Sequence, residues 1–303
     1  MKIDLFDDDD LFDEEPPAPR ERPPRKPKRK RRRGGGGGGG GETAKRILVA
    51  LPWIVFAIAI TVAGGLVFAA AMIAIGVVAI GEYTNMASRY RPLTIPAYIA
   101  VAGLVVAAHF GTSFNVLYVI AATFPLLFAF AARAGNRDGN TVSLGVTLLG
   151  VLWIGVPLAH AVFLRDLPDH GAALLIDVLV GTFVADTAAY ATGRMFGSHK
   201  IAPNISPNKT VEGLIGGFLI GTMGFWFAGL YQDWLSGVDA LLIGAAVAAV
   251  APIGDLFESM LKRDLGTKDT GTLFGPHGGI LDRLDAALFT IVVGYYLSVA
   301  VVY

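Results

Sequence analysis

The stretch ILVALPWIVFAIAITVAGGLVFAAAMIAIGVVAIG, residues 47–81, runs for 35 positions without a charged residue. As one helix it would be roughly 52 Å long, against ~30 Å of bilayer hydrocarbon. Gly64-Gly65 in its middle is the natural break, because glycine is a poor interior helix residue. Two short helices are therefore predicted on either side of it. Further apolar blocks lie at about 93–109, 114–132, 141–163, 171–193, 213–231, 239–257 and 285–302. The predicted fold is an all-α, polytopic integral membrane protein with about nine transmembrane helices.

Composition agrees with this reading. The 303-residue chain is 53% hydrophobic and 17% charged, with a mean hydropathy of +0.56. It has no cysteine, which excludes a disulfide-stapled secreted domain, a thiolate metal site and a cysteine nucleophile. The formal charge of zero conceals an uneven layout. Of 25 basic and 25 acidic residues, 11 and 10 lie within residues 1–42, leaving 14 and 15 for the other 261 positions. Residues 1–44 combine an acidic run, a Pro-rich stretch, a basic block and eight consecutive glycines. Such a segment buries too little apolar surface to offset its chain entropy, so a disordered cytoplasmic tail is expected ahead of a transmembrane domain at 45–303. Its basic block suits a topology anchor or an anionic headgroup surface.

The placement of Lys and Arg tests the span count. With the N-terminus inside, the four inner loops hold Arg89 and Arg91; Arg133 and Arg137; Arg194, Lys200 and Lys209; and Lys262, Arg263, Lys268 and Arg283. The outer loops hold only Arg165. This asymmetry is the positive-inside pattern, and it places the N-terminus in the cytoplasm. The inner loops at 194–212 and 258–284 are then the places for chemistry with cytosolic solutes.

Ionisable groups within apolar spans are costly unless paired or hydrated, and so mark candidate sites. Asp177 and Asp186 fall in the sixth block, Asp255 and Glu258 at the inner end of the eighth, and Asp282 and Asp285 at the inner start of the ninth. Asp255, Glu258, Ser259 and Lys262 are spaced to share one helix face, as are Asp282 and Asp285. Carboxylates at one membrane face beside Lys262, Arg263, Lys268 and Arg283 suit a divalent cation with a polyphosphate, because magnesium takes few carboxylates and completes its shell with water and phosphate oxygens. The same groups also fit a plainer role as helix-end charge pairs. The glycine-rich loop between the two blocks ends in Gly278-Gly279 just before a helix start, where free N–H groups favour an anion. His277 suits substrate contact, proton transfer or a loop-holding hydrogen bond.

The order Ser259, Lys262-Arg263, Lys268-Asp269, His277-Gly278-Gly279, Asp282-Arg283, Asp285 resembles the signature of the phosphatidate cytidylyltransferase (CDP-diacylglycerol synthase) family. Gly254-Asp255-Leu256-Phe257-Glu258 resembles the run into that signature, and Asp186 through Gly213 resembles the family's other inner loop. The resemblance is strong from residue 186 onward and hydropathic before it. It departs at Asn208, where the family usually has the first of two lysines, and in the charged tail.

The resemblance implies a magnesium-dependent reaction of CTP with phosphatidic acid, giving CDP-diacylglycerol and pyrophosphate for phospholipid synthesis. It implies Asp255, Asp282 and Asp285 as Mg²⁺ ligands and Lys262, Arg263, Lys268, Asp269 and His277 as catalytic residues. Asp186, Ser206, Lys209, Ser259, Gly278, Gly279 and Arg283 become the substrate-binding set. It further implies a homodimer, while the absence of cysteine and of an organelle-directing peptide fits a bacterial plasma membrane, the basic inner loops a cytoplasmic active site, and no nucleic-acid partner is expected. A CTP-dependent lipid kinase would need similar contacts, and an ion-coupled transporter also carries intramembrane acids.

Overall fold

Arg165 and Gly64 show why the long apolar stretch breaks where it does. In the computed structural model, which describes residues 52–133, 135, 138–271, 273 and 278–303, helix α1 (Pro52–Ala63) stops at Gly64, whose φ is +60°. A β-carbon at Gly64 would lie 1.6 Å from the Arg165 guanidinium. That guanidinium takes up the carbonyl groups the break releases, since Arg165 Nε donates to Thr61 O at 3.1 Å. Helix α2 then runs Gly65–Met86, five residues past the end of the charge-free run.

The chain continues through a 3₁₀ turn (Ser88–Tyr90), α3 (Thr94–Phe110) and α4 (Ser113–Arg133). Helices α5 (Asn140–Gly150) and α6 (Val156–Arg165) are joined by a π-helical turn at Val151–Gly155. Then come α7 (Gly171–Phe196), α8 (Val211–Gly229), α9 (Gly237–Asp264) and α10 (Leu281–Val301). Among the described residues, seven helical stretches are long and apolar enough to cross a membrane, with α5 and α6 counted as one. Helices α1 and α3 are apolar but shorter. The charged tail, residues 1–44, lies outside the described residues.

The described residues form one unit around an apolar core that includes Ile80, Tyr83, Leu104, Ile154, Leu174, Ile243 and Leu288. Phe110, Phe114 and Phe128 are exposed on α3 and α4, as helices facing lipid require. Small residues set the closest crossings. A β-carbon at Gly217, Gly221 or Gly224 on α8 would come within 2.8, 2.6 or 2.7 Å of α7 atoms. On α9 a β-carbon at Gly254 would lie 2.4 Å from the Asp285 carbonyl of α10.

One element departs from the all-α expectation. Between α7 and α8, β1 (Lys200–Ala202) pairs antiparallel with β2 (Ser206–Thr210), with Lys200 opposite Thr210 and Ala202 opposite Ser206. Pro203 and Asn204 occupy the centre of the connecting turn, which Ile205 N closes onto Ala202 O at 3.1 Å. Proline followed by asparagine suits the two central positions of a tight turn.

Candidate active site

The Gly254 contact brings Asp255 on α9 and Asp285 on α10 to the same crossing. Along α9, the four-residue period stacks Asp255 under Ser259 and Glu258 under Lys262. Ser259 Oγ donates to Asp255 Oδ1 at 3.2 Å. Lys262 Nζ lies 2.6 Å from Glu258 Oε2 and 2.8 Å from Asp282 Oδ1. Glu258 is wholly buried, so Lys262 supplies the charge without which burial would be prohibitive. The other Glu258 oxygen, Oε1, is buried and has no hydrogen-bond partner among the described residues.

The hairpin delivers a second cation. Lys209 Nζ on β2 reaches Asp255 Oδ2 at 2.6 Å and Pro252 O at 3.5 Å. Thr210 fixes where the strand becomes helix, accepting a hydrogen bond from Gly213 N at the α8 N-terminus, the usual use of a threonine cap. Glu212, in the first turn of α8, accepts from the Ser198 and His199 N–H groups and pairs with His199 Nδ1 at 2.6 Å. Arg263 Nε donates to Ile205 O at 3.4 Å, tying the end of α9 to the hairpin turn. Electrostatic interaction links Asp186 on α7 to Asp255 and Lys209, and Asp285 to Asp186, Asp255 and Glu258.

The start of α10 is tied to carboxylates of the protein itself. Gly279 N donates to Asp282 Oδ2 at 2.8 Å, while Ile280 N and Leu281 N donate to Glu82 of α2 at 2.9 and 3.0 Å. Three amide groups at this helix start, those of Gly279, Ile280 and Leu281, thus meet protein carboxylates. The two glycines also have a steric task. A β-carbon at Gly278 (φ +85°) would lie 2.5 Å from Asp282 Oδ2, and one at Gly279 2.3 Å from Glu82 Oε2. Asp282 Oδ2 also accepts from the Thr270 N–H at 2.9 Å and lies 2.8 Å from the Thr270 hydroxyl.

The structure therefore brings together Asp186, Lys209, Asp255, Glu258, Ser259, Lys262, Asp282 and Asp285. Ser206 is half-buried on β2, and Arg283 is exposed on α10. Lys268 and Asp269 are exposed and make no hydrogen bond or ion pair among the described residues. His277 lies outside the described residues. Glu82 was missed because it ends the charge-free run and reads there as a boundary, whereas it is a buried residue of α2.

The donor set fits a hard divalent cation in type and charge. Asp186, Asp255, Glu258, Asp282 and Asp285 face only Lys209 and Lys262 within this linked network, and Glu258 keeps an unpartnered oxygen. Among the described residues, no three His, Asp or Glu side chains are grouped so that they could hold a metal ion by themselves. That is compatible with an ion that uses few carboxylates and relies on water and phosphate for the rest.

Residues 44–301 match the family model described as the cytidylyltransferase family. The phosphatidate cytidylyltransferase of Staphylococcus saprophyticus is 28% identical over 253 residues, covering 81% of this chain and 95% of that protein. The phosphatidate cytidylyltransferase of Thermotoga maritima is 37% identical over 188 residues, 60% of this chain and 67% of that protein. An uncharacterized protein, YnbB of Escherichia coli, is 34% identical over 184 residues, 59% and 62% respectively.

Proposed function

The chain belongs to the cytidylyltransferase family, and from that premise we infer that it is a phosphatidate cytidylyltransferase. It transfers the cytidylyl group of CTP to phosphatidic acid, forming CDP-diacylglycerol and pyrophosphate. The observation that carries this reading is similarity along 95% of the Staphylococcus saprophyticus enzyme. The polar network at the α9–α10 crossing supports it, since it unites acids and lysines from the two segments that resemble the family's inner loops.

In the reaction a phosphate oxygen of phosphatidic acid attacks the α-phosphorus of CTP. The bond from that phosphorus to the bridging oxygen of the β-phosphate breaks, and pyrophosphate leaves with the electron pair. The lipid phosphate is already ionised near neutral pH, so no side chain has to remove a proton from it. Catalysis then rests on positioning two anions and neutralising them. Asp255, Asp282 and Asp285 are the proposed holders of Mg²⁺, which when bound neutralises triphosphate charge. Lys209 and Lys262 are proposed to meet phosphate oxygens as well as carboxylates, with Ser259 orienting Asp255. Ser206, Lys268 and Arg283 stay candidates for phosphate contact, Arg263 for holding the hairpin against α9, and Asp269 and His277 for the loop's part in catalysis.

We further propose nine transmembrane helices, α1 and α3 included, with a cytoplasmic N-terminus, a plasma membrane location and a homodimer. The one-sided distribution of Lys and Arg supports the orientation. In that proposed orientation Asp255, Lys262 and Asp282 lie at the cytoplasmic surface, where a soluble nucleotide meets a membrane lipid.

The test is pyrophosphate release by the purified chain in detergent with CTP, phosphatidic acid and Mg²⁺, beside Asp282→Asn. Release that requires both substrates and collapses in the variant is the expected result. Release of CDP in place of pyrophosphate would reject the reading in favour of a lipid kinase, and no turnover by folded protein would reject enzyme chemistry on these substrates.

A further inference from the structure

Glu82 stands 188 residues from Thr270 and 198 from Ile280 in the chain, and it contacts both. Its Oε1 accepts from Ile280 N at 2.9 Å, and its Oε2 accepts from Leu281 N at 3.0 Å and lies 3.3 Å from the Thr270 hydroxyl. No Lys or Arg pairs with it among the described residues. Its charge is met by two unpaired N–H groups at the positive end of α10. The surrounding backbone leaves room for this carboxylate alone. A β-carbon at Gly271 would lie 2.6 Å from Glu82 Oε1, and one at Gly279 2.3 Å from Oε2. Helix α2 is itself anchored, with Ile80 and Tyr83 buried in the core and Tyr83 Oη donating to Val146 O at 2.8 Å.

We propose that Glu82 is a positioning residue for nucleotidyl transfer. It clamps both ends of the 270–281 segment to α2 and so fixes Asp282 at the site. The Thr270 hydroxyl lies between Glu82 Oε2 and Asp282 Oδ2, and its single proton serves one of them at a time. The clamp therefore passes directly into the carboxylate that holds Lys262. Glu82 touches neither substrate nor reacting atoms; it acts through Asp282. This inference rests on the cytidylyltransferase reading for its effect on rate, but the clamp itself is measurable without turnover.

The test compares wild type, Glu82→Gln and Thr270→Val as full chains in detergent. Glutamine keeps the size of the side chain but turns an N–H₂ toward the α10 amides, so one acceptor is lost. Loss of a buried charge-assisted hydrogen bond predicts a fall in kcat of about tenfold to a hundredfold in Glu82→Gln. The KM for phosphatidic acid stays within about twofold, because the contact is made to the protein and not to the lipid. Hydrogen exchange in the peptide covering residues 278–285 rises by at least about tenfold. Thr270→Val, which leaves the Ile280 and Leu281 contacts in place, moves both readouts the same way by less. Should Glu82→Gln fail to fold, Thr270→Val decides: wild-type kcat and exchange there overturn the proposal, and a fall in kcat with faster exchange supports it. A folded Glu82→Gln with wild-type kcat, or with lower kcat but unchanged exchange at 278–285, also overturns it. Absence of pyrophosphate release by wild type would reject the reaction, and the exchange measurement would still decide whether Glu82 holds the segment.

Discussion

Lys262 and Lys209 both end on a carboxylate of α9 at 2.6 Å, yet their surroundings differ. Lys262 is enclosed between Glu258, which is fully buried, and Asp282, which is 12% exposed. Lys209 arrives on a two-stranded hairpin and meets Asp255, whose side chain is 33% exposed. The first lysine lies where three charged groups must neutralise one another away from water. The second lies where solvent reaches the pair, which suits the phosphate contact proposed for it. One arrangement of ion pairs thus divides into a fixed part, at the α9–α10 junction, and a releasable part, at the hairpin.

Lys262→Met attacks the fixed part and carries the largest expected effect. It strands the buried Glu258 carboxylate, at a cost of about 3–5 kcal/mol in stability. Thermal unfolding in detergent reads this as a large drop in midpoint, with activity lost. Adding Glu258→Leu removes the stranded charge and is expected to recover most of the stability while leaving the protein inactive. A Lys262→Met protein of wild-type stability would break the comparison and place both lysines on the substrate side.

Gly254→Ala comes next. Its β-carbon must find space 2.4 Å from the Asp285 carbonyl, and overpacking of a close helix crossing costs about 1–3 kcal/mol. Asp255 and Asp285 move apart in consequence, so kcat falls along with stability. Unchanged kcat at reduced stability would mean that the chemistry does not depend on that crossing.

Lys209→Ala sharpens the contrast most directly. The pair is partly exposed, so screening limits its contribution to stability to about 0–1 kcal/mol. The expected phenotype is a normal melting temperature with kcat/KM lower by at least about tenfold, from the loss of one charged phosphate contact. Equal losses of stability in Lys209→Ala and Lys262→Met would erase the distinction between the two regions.

How much of this was legible beforehand varied with the range of the interaction. The break at Gly64, the shared face of Asp255, Glu258, Ser259 and Lys262, and the glycine packing of α8 follow from local spacing and residue size. They can be read directly from the chain. The hairpin at 200–210 lay inside a polar loop, where Pro203 and Asn204 mark a turn but nothing specifies a strand partner. Gly278-Gly279 before a helix start signals only that an anion is favoured there, and amide groups of Gly279, Ile280 and Leu281 meet carboxylates. The anion that takes two of them is Glu82, on a helix nearly two hundred residues earlier. Pattern arguments reveal that a carboxylate is wanted at a helix start, but only the packing of α2 against α10 says which one arrives. Similarly, Lys268 and Asp269 belong to the signature by order, yet they lie exposed, because order along the chain does not specify direction in an irregular loop.

His199→Ala carries the smallest expected effect and tests how the releasable region is held. His199 is mostly exposed and pairs with Glu212 Oε1, but Glu212 also accepts from two backbone N–H groups of the same turn. Those backbone donors remain when the imidazole is removed. The exposed pair alone adds little to stability because solvent screens it, so stability and kcat/KM should both stay close to wild type. Glu212→Ala removes all three contacts and should lower kcat/KM further, since the turn after α7 then loses its tie to α8 and Lys209 its defined approach to Asp255. If His199→Ala is as damaging as Lys209→Ala, the hairpin depends on one solvent-exposed pair and its activity will track ionic strength. If it is silent while Glu212→Ala is not, backbone hydrogen bonds hold the hairpin in place and leave Lys209 free to move from Asp255 to phosphate.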